Sequence, residues 1–175
     1  VSRLRFADEV AYTLGYPKHQ RFSMEKISDE VWSETDEVIE SIALTEDMLS
    51  TNAPSGRGEG LDNLIDDQPA TFFHSTWSND PLYEKLPENE YPYIAVALTK
   101  PISALKFYYQ TRIDSNDRNP YAFRVYASND NVMWNEVAYF DESAGIPTVG
   151  AGVEFTSPII DVNEEYRYWK FEQTA

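Results

Sequence analysis

The stretch YAFRVYASNDNVMWNEVAYF, residues 121–140, contains two segments of alternating side chains joined by a short polar turn. From Phe123 to Ala127 the odd-numbered side chains are apolar, whereas an arginine and a tyrosine occupy the other face. A period of two is expected for a strand with one buried side. The connecting residues 129–131 read Asn-Asp-Asn, and such residues tolerate a positive φ and bond the local backbone. The stretch therefore predicts a β-hairpin, with Trp134 entering the core as the second strand begins.

Two further segments, residues 105–109 and 166–172, are also short, aromatic and β-branched. No window of a dozen residues keeps a 3.6-residue apolar stripe, so the chain is predicted to be an all-β sandwich or barrel. One short helix is expected near residues 60–65. Proline and glycine predict long loops at residues 81–92 and 145–152.

The first forty residues differ in character from the rest. Residues 1–16 and 21–27 each predict a strand, but residues 25–40 carry seven acids against one base. About forty residues without a disulfide or metal rarely fold alone. We therefore expect residues 1–41 to be a β-rich segment, either the tail of a preceding Ig-like domain or strands docked on the main domain. Residues 42–175 form the main domain.

Composition restricts the possible partners. The 30 acidic and 14 basic side chains give a formal net charge of -16, which repels nucleic acid and anionic lipid headgroups. The absence of cysteine excludes disulfides, zinc–thiolate sites and thiol nucleophiles. The apolar run at residues 93–98 is far shorter than the ~20 residues of a membrane-spanning helix, so no membrane insertion is expected.

Catalysis has no motif to support it. A Ser-His-Asp triad would require His19 or His74, and neither lies in a nucleophile elbow or a metalloprotease signature. Two carboxylates suffice for glycoside hydrolysis, but nothing in the sequence singles out such a pair. The sequence therefore favours a non-catalytic protein.

Five motifs occur in an order that resembles the discoidin, or coagulation factor type C (F5/8 type C), family. They are residues 42–53 (IALTEDMLSTNA), 64–75 (LIDDQPATFFHS), 94–98 (IAVAL), 109–112 (YQTR) and 128–134 (SNDNVMW). The last is the most specific, because it is similar to the family's Ser-x-Asp-Gly-x-x-Trp hairpin. The resemblance implies a galactose-binding-like antiparallel β-sandwich, or jelly roll, preceded by the short β segment.

The chain departs from the family pattern at three positions. Asp67 and Asn131 stand where the family has glycine, and Phe73 replaces a tryptophan. Asp and Asn reach left-handed backbone angles at modest cost, so the fold remains compatible. The departures resemble a divergent branch, similar to family 32 carbohydrate-binding modules and to discoidin-type modules of gut-bacterial surface glycan-handling proteins.

The resemblance also implies a structural calcium ion. Its ligands would be the carboxylates of Asp66 and Glu172, the carbonyls of Leu64 and Gln68, and the hydroxyl or carbonyl of Thr71. Hard oxygen donors on a tight loop suit calcium, which accepts ~6–8 of them. The alternative is that the two aspartates of this turn only bond backbone N–H groups.

A sugar site needs an exposed aromatic ring beside planar hydrogen-bonding groups. Loops at one end of the sandwich would supply a stacking residue, Trp77, a rim residue, Tyr83, and the hydrogen-bonding residues His74, Arg112, Asn116 and Arg118. Each has a structural alternative: Trp77 in the core, His74 on a backbone carbonyl, Arg112 bridging a loop to a carboxylate, and Arg118 in solvent.

The implied function is a non-catalytic carbohydrate-binding or adhesion module of a secreted or cell-surface bacterial protein. A bacterial outer-membrane lipoprotein is the expected setting. The first alternative is adhesion to another protein, including the preceding domain, without sugar binding. The second is a catalytic or accessory domain of a glycoside hydrolase.

Overall fold

The computed structural model describes residues 23–27, 39–68, 70–76, 79–115 and 119–174. Within these ranges the chain forms antiparallel strands β1 (Ser23–Ile27), β2 (Ile39–Ser41), β3 (Leu49–Thr51), β4 (Tyr93–Gln110), β5 (Phe123–Ser128), β6 (Asn135–Phe140), β7 (Glu154–Thr156) and β8 (Ile160–Gln173). Short 3-10 helices span Glu46–Met48, Leu61–Leu64 and Glu142–Ala144. The second of them confirms the helix expected near residues 60–65. None of the helices in the described ranges is long and apolar enough to cross a bilayer.

The predicted hairpin is confirmed as β5 and β6, which pair from Phe123 opposite Phe140 to Ala127 opposite Asn135. Its turn has the predicted chemistry: Asn131 adopts a φ of 59°. The Oδ1 atom of Asp130 accepts hydrogen bonds from the backbone N–H groups of Met133 and Val132. These bonds lower the pKa of the Asp130 carboxyl.

The predicted strands at residues 105–109 and 166–172 lie inside two much longer strands, β4 and β8. These pair from Tyr93 opposite Glu172 to Leu105 opposite Ile160, with register shifts around Ile102. Such irregularities bend strands, so that one strand contributes to two layers. One layer contains the first half of β4, together with β3, β8, β5 and β6. The other layer contains the second half of β4, together with β1 and β7.

The two layers meet around Phe107, which is fully buried in the second half of β4. Its ring centroid lies 5.2 Å from that of Phe171, 5.6 Å from that of Phe140 and 5.9 Å from that of Phe123. These rings belong to the opposite layer, and tilted or edge-on contacts of this kind are favourable. The structure therefore confirms the predicted antiparallel β-sandwich.

The prediction that Trp134 enters the core is wrong. Trp134 is half-buried on the outer surface, where the Nζ atom of Lys170 lies 4.8 Å from its ring centroid. In the hairpin Val125 pairs with Ala138, but Tyr126 pairs with Glu136, so β6 contains one extra residue. The extra residue reverses the alternation of side chains and places Trp134 on the face of Tyr126.

The start of the described chain adds strands to the second layer. Strand β1 pairs with β2 and also with β4, from Ser23 opposite Tyr108 to Lys26 opposite Leu105. The strand predicted at residues 1–16 lies outside the described residues.

Candidate functional site

A cavity of about 380 Å³, the first cavity, lies where three loops meet the end of β8. Its lining comes from positions far apart in the sequence: Phe73, His74, Ser75, Tyr91, Pro92, Arg112, Asn119, Pro120, Gln173 and Thr174. Its volume falls in the ~300–1,000 Å³ range of small-ligand sites. The structure thus brings together His74 and Arg112, two of the residues predicted to bind a sugar.

The segment that carries His74 is fixed by its backbone. The N–H of His74 donates to the carbonyl of Glu59 at 3.1 Å, and its own carbonyl accepts from the N–H of Gly56 at 3.2 Å. Two residues further on, the N–H of Thr76 donates to the carbonyl of Pro54 at 2.9 Å. Because three backbone hydrogen bonds tie this segment to residues 54–59, this wall of the cavity is formed before any ligand binds.

The His74 ring pairs with a carboxylate. Its Nδ1 atom lies 3.1 Å from the Oε2 atom of Glu59. Burial of the ring lowers the pKa of His74, although Glu59 opposes that effect. The lowered pKa favours the neutral imidazole, which carries one donor and one acceptor nitrogen.

Arg112 is buried beneath the cavity, with 5% of its surface exposed. Its Nε and Nη2 atoms donate to the two carboxylate oxygens of Asp114 at 2.8 Å and 2.6 Å, and its Cζ atom lies 3.5 Å above the Phe72 ring. Its Nη1 atom is buried and has no hydrogen-bond partner among the described residues. Arg112 thus has the structural role that was predicted as an alternative, because it bonds a carboxylate of its own loop. It also has one donor atom, Nη1, without a partner among the described residues.

Sequence reasoning missed Gln173, the last residue of β8. Its Nε2 atom is buried without a hydrogen-bond partner in the described part of the chain. Arg112 and Gln173, two residues with such an unpartnered donor, therefore both line the first cavity. Asn119 is structural: its Oδ1 atom accepts from the N–H of Arg112 and its Nδ2 atom donates to the carbonyl of Gly150. That amide fixes the loop that carries Arg112.

The other predicted sugar-binding residues are placed differently. Tyr83 lines a second cavity of about 260 Å³, which shares Ser75 and Pro92 with the first. The predicted contacts Trp77, Asn116 and Arg118 lie outside the described residues.

The loop predicted to hold calcium gathers oxygen atoms around Thr71. Its Oγ1 atom donates to the Oδ2 atom of Asp66 at 2.7 Å and lies 2.9 Å from the carbonyl oxygen of Gln68. The Oδ1 atom of Asp66 accepts the N–H of Gln68 at 2.8 Å, as the turn-capping alternative predicts. Asp67 adopts a φ of 64°, so an aspartate takes the left-handed conformation for which the family uses glycine.

Glu172, the fifth predicted ligand, lies on β8 opposite Tyr93 and Arg124. Its Oε2 atom accepts a hydrogen bond from the hydroxyl of Tyr126 at 3.2 Å. Within the described ranges, no three His, Asp or Glu side chains are grouped so that they could hold a metal ion. The oxygens of the Asp66 loop suit calcium chemically, with Asp66 as their carboxylate.

A sequence model of the F5/8 type C domain matches residues 49–166, about two thirds of the chain. The chain belongs to the F5/8 type C domain family. The matched residues include most of the lining of the first cavity, but Gln173 lies beyond them. Among curated protein sequences, none matches the chain at a significant level.

Solved structures similar to this F5/8 type C chain are family 32 carbohydrate-binding modules and a related bacterial domain. The CBM32-3 module of a Clostridium perfringens family 31 glycoside hydrolase has a TM-score of 0.54 and 17% identity, covering 75% of this chain and 81% of that one. The C. perfringens module CpGH89CBM32-5, solved in complex with GalNAc-β-1,3-galactose, has a TM-score of 0.54 and 17% identity over 73% and 83%. The C-terminal domain of a Bacteroides fragilis chitobiase has a TM-score of 0.52 and 20% identity, covering 74% of this chain and 83% of that one. These similarities establish the fold.

Proposed function

We propose that this F5/8 type C domain is a non-catalytic carbohydrate-binding module that holds a sugar in the first cavity. The observation that carries the proposal is that two residues lining one cavity, Arg112 and Gln173, each have a buried donor, Nη1 and Nε2, with no partner among the described residues. A buried polar group left unsatisfied costs about 1–3 kcal/mol. Hydroxyl groups of a bound sugar would accept hydrogen bonds from both and remove that cost.

Charge supports a neutral sugar as the ligand. The guanidinium of Arg112 is already paired through two hydrogen bonds with Asp114. Burial lowers the pKa of His74, which disfavours a second cation at the cavity, and the chain carries a formal net charge of -16. The charge of Arg112 is already balanced by Asp114, and the negative charge of the chain repels a carboxylate or a phosphate. The hydroxyl groups of a neutral sugar are not repelled and can accept hydrogen bonds.

Tyr91 supports a stacking role at this cavity. Tyr91 is a lining residue of the cavity and is 41% exposed, and a tyrosine ring suits the apolar C–H face of a sugar. Stacking by Trp77, and hydrogen bonding by Asn116 and Arg118, remain predictions from the sequence. The galactose-containing ligand of the C. perfringens module supports galactose and N-acetylgalactosamine as the first probes.

The experiment is glycan binding by the whole chain, compared with the variant Gln173→Leu. We expect the parent to bind at least one neutral glycan of a panel that includes galactose, N-acetylgalactosamine and GalNAc-β-1,3-galactose. Loss of one hydrogen bond, about 0.5–1.5 kcal/mol, should weaken binding by Gln173→Leu roughly 3–10-fold in isothermal titration. Stability should equal or exceed that of the parent, because the removed donor is buried without a partner in the described structure.

Asn163→Leu provides the matched control for that comparison. Asn163 is an exposed amide on the same strand and does not line the first cavity. Its variant should bind like the parent. A parent that binds no glycan of the panel would contradict the proposal, and so would equal affinities of Gln173→Leu and the parent.

The proposed setting is the outside of a bacterial cell, in a secreted protein or an outer-membrane lipoprotein. F5/8 type C domains are typically extracellular, and an acidic surface keeps such a domain soluble and away from anionic membranes.

We also propose a structural calcium ion on the Asp66 loop, held by the carboxylate of Asp66 and by oxygens of Leu64, Gln68 and Thr71. Calcium at 100 times its Kd stabilises a fold by about 2.7 kcal/mol, which corresponds to a rise in Tm of about 5–10 °C for a chain of this size. Thermal unfolding in calcium and in EDTA measures this rise. Asp66→Asn should abolish it, whereas Asp62→Asn, an exposed carboxylate of the preceding 3-10 helix, should not.

Glu172→Gln tests the fifth ligand that the family resemblance implies, and it should reduce the rise in Tm that calcium causes. Equal Tm values in calcium and in EDTA would show that the loop is only capped by its own hydrogen bonds.

A further inference from the structure

The second cavity lies directly beside the first. Ser75 and Pro92 line both, and Thr76 and Tyr83 line the second only. Its volume of about 260 Å³ lies below the ~300–1,000 Å³ range of sites that bind a small ligand alone. It is therefore better suited to extend the first cavity than to act independently.

The shared wall is preformed. Ser75 forms an isolated antiparallel bridge with Ser55, and the carbonyl of Pro92 accepts the N–H of Gln173 at 2.8 Å. The side chain of Asn52 holds the residues on both sides of Pro92: its Nδ2 atom donates to the carbonyl of Tyr91 and its Oδ1 atom accepts from the N–H of Tyr93, each at 3.0 Å. A rigid wall between two cavities keeps the distance between their contents constant.

The second cavity repeats the chemistry of the first. Thr76 is 9% exposed, and its hydroxyl is buried without a hydrogen-bond partner among the described residues. Tyr83 is 39% exposed and presents a ring at the rim, as Tyr91 does at the first cavity. Each cavity thus combines an unsatisfied buried polar atom with a half-exposed tyrosine, the combination that suits one hydroxyl-rich ring.

We propose that the second cavity binds the next sugar unit of the glycan held in the first, so that the ligand is a neutral oligosaccharide of at least two units. This inference rests on the proposed function of the first cavity. The chain of the ligand crosses the wall formed by Ser75 and Pro92. The terminal unit contacts Arg112 and Gln173, and the following unit contacts Thr76 and Tyr83.

The test compares glycans of increasing length on the parent chain and on two variants. A panel of neutral glycans, each offered as the terminal monosaccharide, the disaccharide and the trisaccharide, is titrated calorimetrically. The parent should bind the best disaccharide at least tenfold more tightly than its terminal monosaccharide. Tyr83→Ala and Thr76→Val should reduce that ratio to about twofold or less and leave the affinity for the monosaccharide unchanged.

Thr76→Val removes a hydroxyl that has no partner and keeps the shape of the side chain, so its Tm should equal or exceed that of the parent. Tyr139→Ala is the matched control for Tyr83→Ala, because Tyr139 is 50% exposed on β6 and lines neither cavity. It should keep the preference of the parent for the longer glycan.

The outcomes separate the two proposals. A parent that binds monosaccharide and disaccharide equally, or variants that keep the full preference, would overturn the extended site and leave sugar binding in the first cavity intact. A parent that binds no glycan of any length would overturn both.

Discussion

Phe107→Ala is expected to lower the free energy of unfolding by about 3–5 kcal/mol, the range for a large aromatic residue removed from a close-packed core. The Phe107 side chain is fully buried, and its ring meets rings from β5, β6 and β8. Their centroids are fixed by strand pairing, so the layers cannot close over the space that the variant leaves. The loss is a large share of the ~5–15 kcal/mol that stabilises a typical domain.

Urea denaturation followed by tryptophan fluorescence measures this loss, because Trp169 is fully buried in the same core. Val132→Ala is the control: Val132 is 74% exposed in the turn of the hairpin, and its truncation should change stability by less than about 0.5 kcal/mol. A loss below about 1 kcal/mol for Phe107→Ala would mean that the two layers do not meet at this ring.

Arg112→Met is expected to weaken glycan binding about 10–100-fold. Methionine retains much of the length of the side chain but removes every donor, and a hydrogen bond from a charged group contributes about 1.5–3 kcal/mol. Asp114, which loses its two hydrogen bonds from Arg112, has 49% of its side chain exposed, so water can solvate it in the variant. Titration calorimetry with the best-bound glycan of the panel gives the ratio of affinities, and the Tm shows that the variant is folded.

Asp114→Asn separates the two roles of Arg112. It weakens the ion pair but keeps the guanidinium, whose Nη1 donor has no partner among the described residues, so binding should stay within about threefold of the parent. If Arg112→Met instead bound within twofold of the parent while remaining folded, Arg112 would be a purely structural residue.

The hairpin was predictable because its determinants are local. Alternation within residues 123–127 and the turn chemistry of residues 129–131 both act over a few residues. The position of Trp134 was not predictable in the same way, because one extra residue in β6 reverses the alternation. Such a bulge arises from the pairing of two strands. The lengths of β4 and β8 were underestimated for the same reason, since pairing between distant segments extends them.

The candidate site was predictable only where a motif carried it. His74 and Arg112 lie in motifs shared with the family, and both line the first cavity. Tyr91 and Gln173 were missed because they are far apart in the sequence: Tyr91 precedes β4, and Gln173 is the last residue of β8. The register of β4 with β8, in which Tyr93 lies opposite Glu172, brings them to the same cavity. A pattern within one segment of sequence does not predict the register between two distant strands.

The most direct test of the central claim is a crystal structure of the chain with the best-bound neutral glycan of the panel. We predict electron density for a sugar in the first cavity, with hydroxyl oxygens about 3 Å from Arg112 Nη1 and from Gln173 Nε2. A glycan bound elsewhere, such as over Trp134 on the outer surface of the sheet, with the first cavity free of sugar, would contradict it.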